Sequence, residues 1–218
     1  MSFYNPLPDC QITNLSEIYL EVFGKKKDGI FLEIGAFDGE SMSNTVFLAD
    51  MGWEGYYFEP VQENAIRCQI RHIRNNVKTI PCAISDKEQN LIFSLGGMLT
   101  SARKDHVELF NELGWRKHLE GEKYRAIPAV SIKSALELLP IRDCDLAVID
   151  VEGFEPLILD SWDFSILKPT LFIIESRDQD MNFSYEIRKE YVDMLENLFN
   201  HAYKVIHRDG CNVILHLN

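Results

Sequence analysis

The chain has 218 residues, 46% hydrophobic and 26% charged, the make-up of an ordinary globular protein of a size that one domain fills. Its net charge of −12 argues against a nucleic-acid binder, which needs a basic surface, and solubility is the plainest reading of the acidity. The cysteines Cys10, Cys68, Cys82, Cys144 and Cys211 are scattered with no Cys-x-x-Cys pair, which argues against a disulfide framework or a zinc site.

Residues 1–13, with Pro6 and Pro8, read as an irregular lead-in with neither the basic flank nor the apolar core of a signal peptide. No apolar run approaches transmembrane length, so a cytoplasmic location is the default expectation. Asn14 or Ser16 is placed to cap a helix over Leu15–Phe23 that Gly24 closes. Ile30–Ile34 reads as a strand buried on both faces, as in a parallel sheet, yet it carries Glu33. An unpaired buried carboxylate is costly, so loop amides or a ligand are expected to satisfy it. The loop Gly35-Ala36-Phe37-Asp38-Gly39 follows, then a helix over 43–51. A second strand over 56–59 ends in Glu59, and Pro60 opens a helix to about residue 73.

Val77–Ile80 is a third strand, and 82–85 and 91–95 read as a hairpin-like pair or a strand extension. A polar helix is expected over 103–118, an extended piece over 124–128, and a helix capped by Ser131 that runs to about residue 139. Leu146–Ile149 and Leu171–Glu175 are further buried strands, with a short helix after Val151-Glu152-Gly153-Phe154-Glu155-Pro156. An amphipathic helix over 185–199 precedes a terminal hairpin turned by Asp209-Gly210. Strands and helices alternate without a repeat or linker. The expectation is a single α/β domain over 1–218, its sheet mostly parallel with an antiparallel C-terminal edge.

Glu33, Glu59, Asp150 and Glu175 all stand at or near the carboxyl ends of predicted strands, the edge at which open α/β sheets bind ligands. A single acid there is usually a solvated loop residue or a helix cap; four on one edge form a pattern. Neither Gly-x-Gly-x-x-Gly nor a phosphate-cradling Gly-x-x-x-x-Gly-Lys-Ser/Thr is present, which points to a nucleoside ligand without a polyphosphate. Glu59 holds the position from which a carboxylate grips ribose hydroxyls.

Glu33-Ile34-Gly35-Ala36-Phe37-Asp38-Gly39, Ser43-Asn44-Thr45, Gly52-Trp53-Glu54-Gly55 and Phe58-Glu59-Pro60 resemble the opening motifs of the FkbM family of class I S-adenosylmethionine-dependent methyltransferases. Ala83-Ile84-Ser85-Asp86 and Asp150-Val151-Glu152-Gly153-Phe154-Glu155 resemble its later motifs, and the match spans about residues 29–175. The resemblance implies a Rossmann-like sandwich and O-methylation of a sugar, polysaccharide-precursor or natural-product hydroxyl, with residues 96–128 as the variable substrate side. It implies that Glu33, Gly35, Ala36 and Gly39 shape the methionine end of the cofactor pocket, with Asp38 and Ser43 reaching its amino and carboxylate groups. It further places Glu59 and the adjacent Pro60 at the ribose, Ile84 and Ser85 at the adenine, and Asp150 near the methyl group.

A hydroxyl is a poor nucleophile until its proton is being removed, so a base or a metal is wanted. Asp150, Glu152, Glu175 and His106 are the candidate bases. The competing reading is a Mg²⁺ ion on Asp150, Glu175 and Asp178, set against the ordinary role of such acids as helix caps or partners of Arg177. His118 is a weaker base candidate, Cys82 reads as buried packing, and Trp115 is placed to cover an acceptor. Two other functions remain open: a nucleotide-sugar or nicotinamide enzyme on the same sheet, and a module that binds the cofactor without catalysis.

Overall fold

A computed structural model describes residues 3–119, 121 and 123–218. Met1 and Ser2 of the expected domain, and Glu120 and Glu122 of the variable region, lie outside the described residues. The strands are β1 (Ile30–Ile34), β2 (Glu54–Phe58), β3 (Val77–Ile80), β4 (Ala83–Ser85), β5 (Gln89–Leu95), β6 (Lys123–Ser131), β7 (Leu146–Ile149), β8 (Leu171–Glu175), β9 (Tyr203–Arg208) and β10 (Asn212–Leu217). The helices are α1 (Leu15–Phe23), α2 (Val46–Met51), α3 (Gln62–Arg71), α4 (Lys104–Glu112), α5 (Ile132–Leu138), α6 (Glu155–Asp160) and α7 (Tyr185–Asn200). No helix among the described residues is long and apolar enough to cross a membrane.

Seven strands form the main sheet in the order β3-β2-β1-β7-β8-β10-β9. β1 pairs in parallel with β2 and β7, β7 with β8, and only β10 runs antiparallel to its neighbours. The continuous apolar runs of β1, β7 and β8 follow from this position, because both faces of a parallel sheet are covered. Alternation along β1 sends Leu32 and Ile34 to one core, with α5, α6 and α7, and Phe31 to the other, with α1, α2 and Trp53. The order reverses between β1 and β7, so the loops leaving these strands part and open a crevice between them.

Several boundaries differ from expectation. Helix α2 begins at Val46 rather than 43, because Ser43 Oγ accepts the amides of Thr45 and Val46 and holds 43–45 as a turn. Helix α3 starts after Pro60 and Val61, and α4 stops at Glu112. Neither expected cap of α1 acts as one: Asn14 makes no capping bond, and Ser16 Oγ donates instead to the carbonyl of Tyr4 at 2.6 Å. Ser131 does cap α5, accepting from Ser134 N. The segments β4 and β5 are neither a hairpin nor a strand extension. Both pair with β6, one parallel and one antiparallel, in a separate three-stranded sheet that brings residues 83–95 beside the crevice.

Candidate active site

The loop after β1 gathers the site. The amides of Gly35 and Ala36 both donate to the carbonyl of Phe58, at 2.9 and 3.1 Å, binding the loop to the end of β2. Gly35 has φ +93°, and a β-carbon there would lie 1.8 Å from the Asp150 carbonyl oxygen. Only glycine permits both the turn and that approach to the end of β7. Phe37, itself at φ +50°, donates its amide to Glu59 Oε2 at 2.9 Å, and Val61 N donates to Glu59 Oε1 at 2.8 Å. Burial pushes the Glu59 carboxyl up to about 7, against the pull of these amides.

Two lobes of one crevice meet here. The first, about 600 Å³ counting its open mouth, is lined by Phe58, Glu59, Pro60, Asn64, Ile84 and Phe93 among others. Most of its wall is apolar, and the small sheet supplies one side. The second, about 760 Å³ on the same measure, is lined by Gln11, Glu33, Ala36, Ser43, Asn44, Glu152 and Glu175 among others. Gly35, Phe37, Met98, Asp150 and Glu152 line both, so Asp150 stands on the divide. Among the described residues no lysine or arginine lines either lobe.

The acids of the second lobe are arranged in depth. Glu33 is buried and accepts a short hydrogen bond from the Thr45 hydroxyl, which lies 2.8 Å from the Tyr57 hydroxyl. Burial raises its carboxyl to about 8, with Asp150 adding to the rise. Glu155 accepts three hydrogen bonds: Oε1 accepts Val151 N at 2.7 Å, and Oε2 accepts Gly153 N at 3.0 Å and the Tyr191 hydroxyl at 2.8 Å. It thereby anchors the Asp150–Glu155 turn, in which Glu152 takes φ +54°. Arg177 Nη2 lies 2.5 Å from Glu175 Oε1 and 3.6 Å from Glu152 Oε2, all three side chains nearly inaccessible. Burial first, then neighbouring negative charge, raises both glutamates well above the ordinary range despite Arg177.

Glu33, Gly35, Ala36, Ser43, Glu59, Pro60, Ile84, Asp150, Glu152 and Glu175 are thus brought together on the two lobes. The other candidates are placed elsewhere. Asp38 caps its own turn, accepting the amides of Glu40 and Ser41. The Gly39 carbonyl meets His72 Nε2 at 2.8 Å, behind the loop. Ser85 points into the small sheet, bonded to Asp86 and Gln89. His106 is fully buried beneath Gly153, where a β-carbon would meet its ring at 2.7 Å, and it lines neither lobe. Burial, with the Arg103 charge, lowers it to about 3, so it does not serve as a base reaching the cavity.

Asp178 turns away to Arg208 and the Ser176 hydroxyl, at 2.8 and 2.7 Å, and so leaves the proposed metal set. Glu155 takes its place: oxygens of Asp150, Glu155 and Glu175 lie within 4.8 Å of one another. That cluster fits Mg²⁺ poorly, since Glu155 is committed to three hydrogen bonds within its own turn and to Tyr191, and Arg177 already sets a cation beside Glu175. Cys82 packs against the main core as expected, but it is only half-buried and also lines the first lobe. Trp115 stacks on Phe110 with centroids 5.5 Å apart, and His118 is exposed. Sequence reasoning missed Gln11, whose segment carries no periodicity, and Glu155 as the anchor of the turn.

Residues 33–205 match the model of the methyltransferase FkbM domain. No curated protein matches the chain. Among solved structures it is similar to an O-methyltransferase from Bacillus cereus in complex with S-adenosylhomocysteine, at 15% identity and TM-score 0.53, covering 97% of this chain and 81% of that one. It is also similar to the O-methyltransferase TomG from Streptomyces achromogenes (13% identity, TM-score 0.50, 97% and 83% covered). A precorrin-6y C5,15-methyltransferase from Geobacter metallireducens resembles it equally in fold (14% identity, TM-score 0.50, 99% and 94% covered). At these identities the likeness is one of fold, a Rossmann-like sandwich.

Proposed function

This chain belongs to the FkbM methyltransferase family, and we propose that it is an S-adenosylmethionine-dependent O-methyltransferase acting on a hydroxyl of a sugar, a polysaccharide precursor or a natural product. The observation that carries the reading is the two-lobed crevice, with Glu59 lining the first lobe and Asp150 on the divide. The residues present fit the cofactor. A mostly apolar lobe with Glu59 at the end of β2 suits a nucleoside, and Glu59 is the group to accept its ribose hydroxyls. The second lobe offers Ser43, Asn44 and Gln11 to the polar groups of a methionine moiety, and Asp150 is a carboxylate that lines both lobes. Among the described residues neither wall carries a basic side chain, which agrees with a ligand that has no polyphosphate.

When bound, the cofactor supplies an electrophilic methyl group on a sulfonium. The chain must then orient the acceptor and take its proton. Asp150 is the residue for that proton: its Oδ2 is held by Gln11 at 2.9 Å, and its Oδ1 has no partner among the described residues. Glu175 is pinned by Arg177 and serves to stabilise the local charge. Glu152, which lines both lobes, is placed to orient an acceptor hydroxyl. Residues 96–128 supply Gly97, Met98 and Thr100 to the first lobe and Met98 and Leu99 to the second, so this segment borders the cofactor crevice on both sides of Asp150.

Calorimetric titration with S-adenosylhomocysteine tests the cofactor assignment. Micromolar binding by the wild type that collapses in Glu59→Ala supports it. Absence of binding by the folded wild type removes it. Methyl transfer to a panel of free sugars and glycosides then tests the acceptor class.

A further inference from the structure

The N-terminal segment enters the site. Tyr4 and Ile12 are buried in the core beneath α1 and α2, and beside them Gln11 reaches the second lobe. Its Nε2 donates to Asp150 Oδ2 at 2.9 Å, and its Oε1 accepts Nδ2 of Asn44 at 2.8 Å. Asn44 belongs to the wall leading from β1 into α2, and Asp150 to the wall at the end of β7. One amide therefore spans the crevice at the point where strand order reverses. Asn44 is held in turn: its Oδ1 accepts the Cys10 thiol at 3.4 Å, and its carbonyl accepts the Tyr19 hydroxyl at 3.0 Å. Gln11 precedes the family-matched stretch 33–205, so the matched stretch does not itself include this bridge.

We propose that Gln11 is a positioning residue of the methyltransferase site, fixing the spacing of the Asn44 and Asp150 walls around the cofactor's methionine end and aiming Asp150 Oδ1 into the cavity. The proposal rests on the cofactor reading given above. A neutral amide is suited to the task because it donates to one wall and accepts from the other. Around Asp150 the charged groups are Glu33, Glu152, Glu155, Glu175 and Arg177. Gln11 adds a donor to that set without adding charge. Glutamate in its place would accept from Asn44 but repel Asp150, and methionine would fill the space with neither bond.

The test is calorimetric binding of S-adenosylhomocysteine to the full chain as wild type, Gln11→Met and Gln11→Glu, and to Gln11→Met in an Asp150→Ala background. Gln11→Met is expected to melt like the wild type yet bind about tenfold more weakly, as losing a hydrogen bond to a charged group implies. Gln11→Glu binds more weakly still. In the Asp150→Ala background Gln11→Met adds less than about a twofold loss, because its partner is already gone. Affinity of Gln11→Met within about twofold of wild type overturns the proposal, as does an equal loss in both backgrounds. Should Gln11→Met not fold, hydrogen exchange on the wild type decides: the cofactor product must slow exchange of residues 9–13, and unchanged exchange overturns the proposal. A wild type that binds no S-adenosylhomocysteine instead removes the cofactor reading itself, and the proposal with it.

Discussion

The hydroxyl of Thr45 donates to the carboxylate of Glu33 inside the core, twelve positions along the chain, and the Tyr57 hydroxyl stands behind it at 2.8 Å. The strand residue that composition alone would forbid is thus satisfied by the turn that precedes α2. The arrangement tolerates Glu33 best as the neutral acid, since burial raises its carboxyl from 4.5 to about 8. The folded state then holds a proton that the unfolded chain releases near 4.5. The stability gained is fully present below that pH and is lost as pH rises toward about 8. At about 1.4 kcal/mol per pH unit the loss from this group is on the order of 3–5 kcal/mol. Urea unfolding at pH 5 and pH 9 is expected to show Glu33→Gln losing less stability than wild type by roughly that amount. Equal losses in the two proteins would count against a protonated Glu33.

Gly35→Ala is expected to be severe. The new β-carbon meets the Asp150 carbonyl at 1.8 Å, in a backbone conformation that L residues rarely adopt. Relief requires β1 and β7 to separate at the site, and the cost is about 3 kcal/mol or more, a large share of a domain's stability. Thermal unfolding and S-adenosylhomocysteine binding should both fall. A variant with unchanged melting and binding would show that the loop can move without harm.

Arg177→Met removes the cation that pairs with Glu175 and Glu152. Breaking a buried pair from one side costs about 3–5 kcal/mol, because the remaining charge has no compensation. Both carboxyls already sit well above the ordinary range and rise further without the guanidinium. Their raised values make the deficit grow as pH rises, so the variant should be closest to wild type in mild acid and furthest from it above neutrality. Chemical denaturation at pH 5.5 and pH 8 checks both the size and the direction.

Much of the architecture is legible in local patterns, and the reason is physical. A parallel sheet buries both faces of β1, β7 and β8, so their apolar runs announce them, and acids at their ends mark the binding edge. Gly35 and Glu59 follow from the same logic. What local pattern does not carry is side-chain direction over long separations. His106 falls under Gly153 because helix α4 turns its inner face to the core, and Asp178 turns to Arg208 across to β9. Gln11 reaches Asp150, 139 positions away, from a segment with no periodicity at all. The small sheet was hidden because β4 and β5 pair with β6, a strand from the variable region, instead of with each other.

Glu155 gives the last prediction. Its two oxygens take three hydrogen bonds, from Val151 N, Gly153 N and the Tyr191 hydroxyl, and hold the turn that displays Asp150 and Glu152. Tyr191→Phe deletes one donor and should cost about 1 kcal/mol, with binding of S-adenosylhomocysteine little changed. Glu155→Ala orphans two buried amides and a hydroxyl together, so about 2–4 kcal/mol is expected, with faster hydrogen exchange confined to residues 151–154. The turn then no longer fixes Asp150, and affinity should fall more than in Tyr191→Phe. Equal effects of the two variants on exchange and binding would mean that Tyr191, not the backbone capture by Glu155, holds the turn.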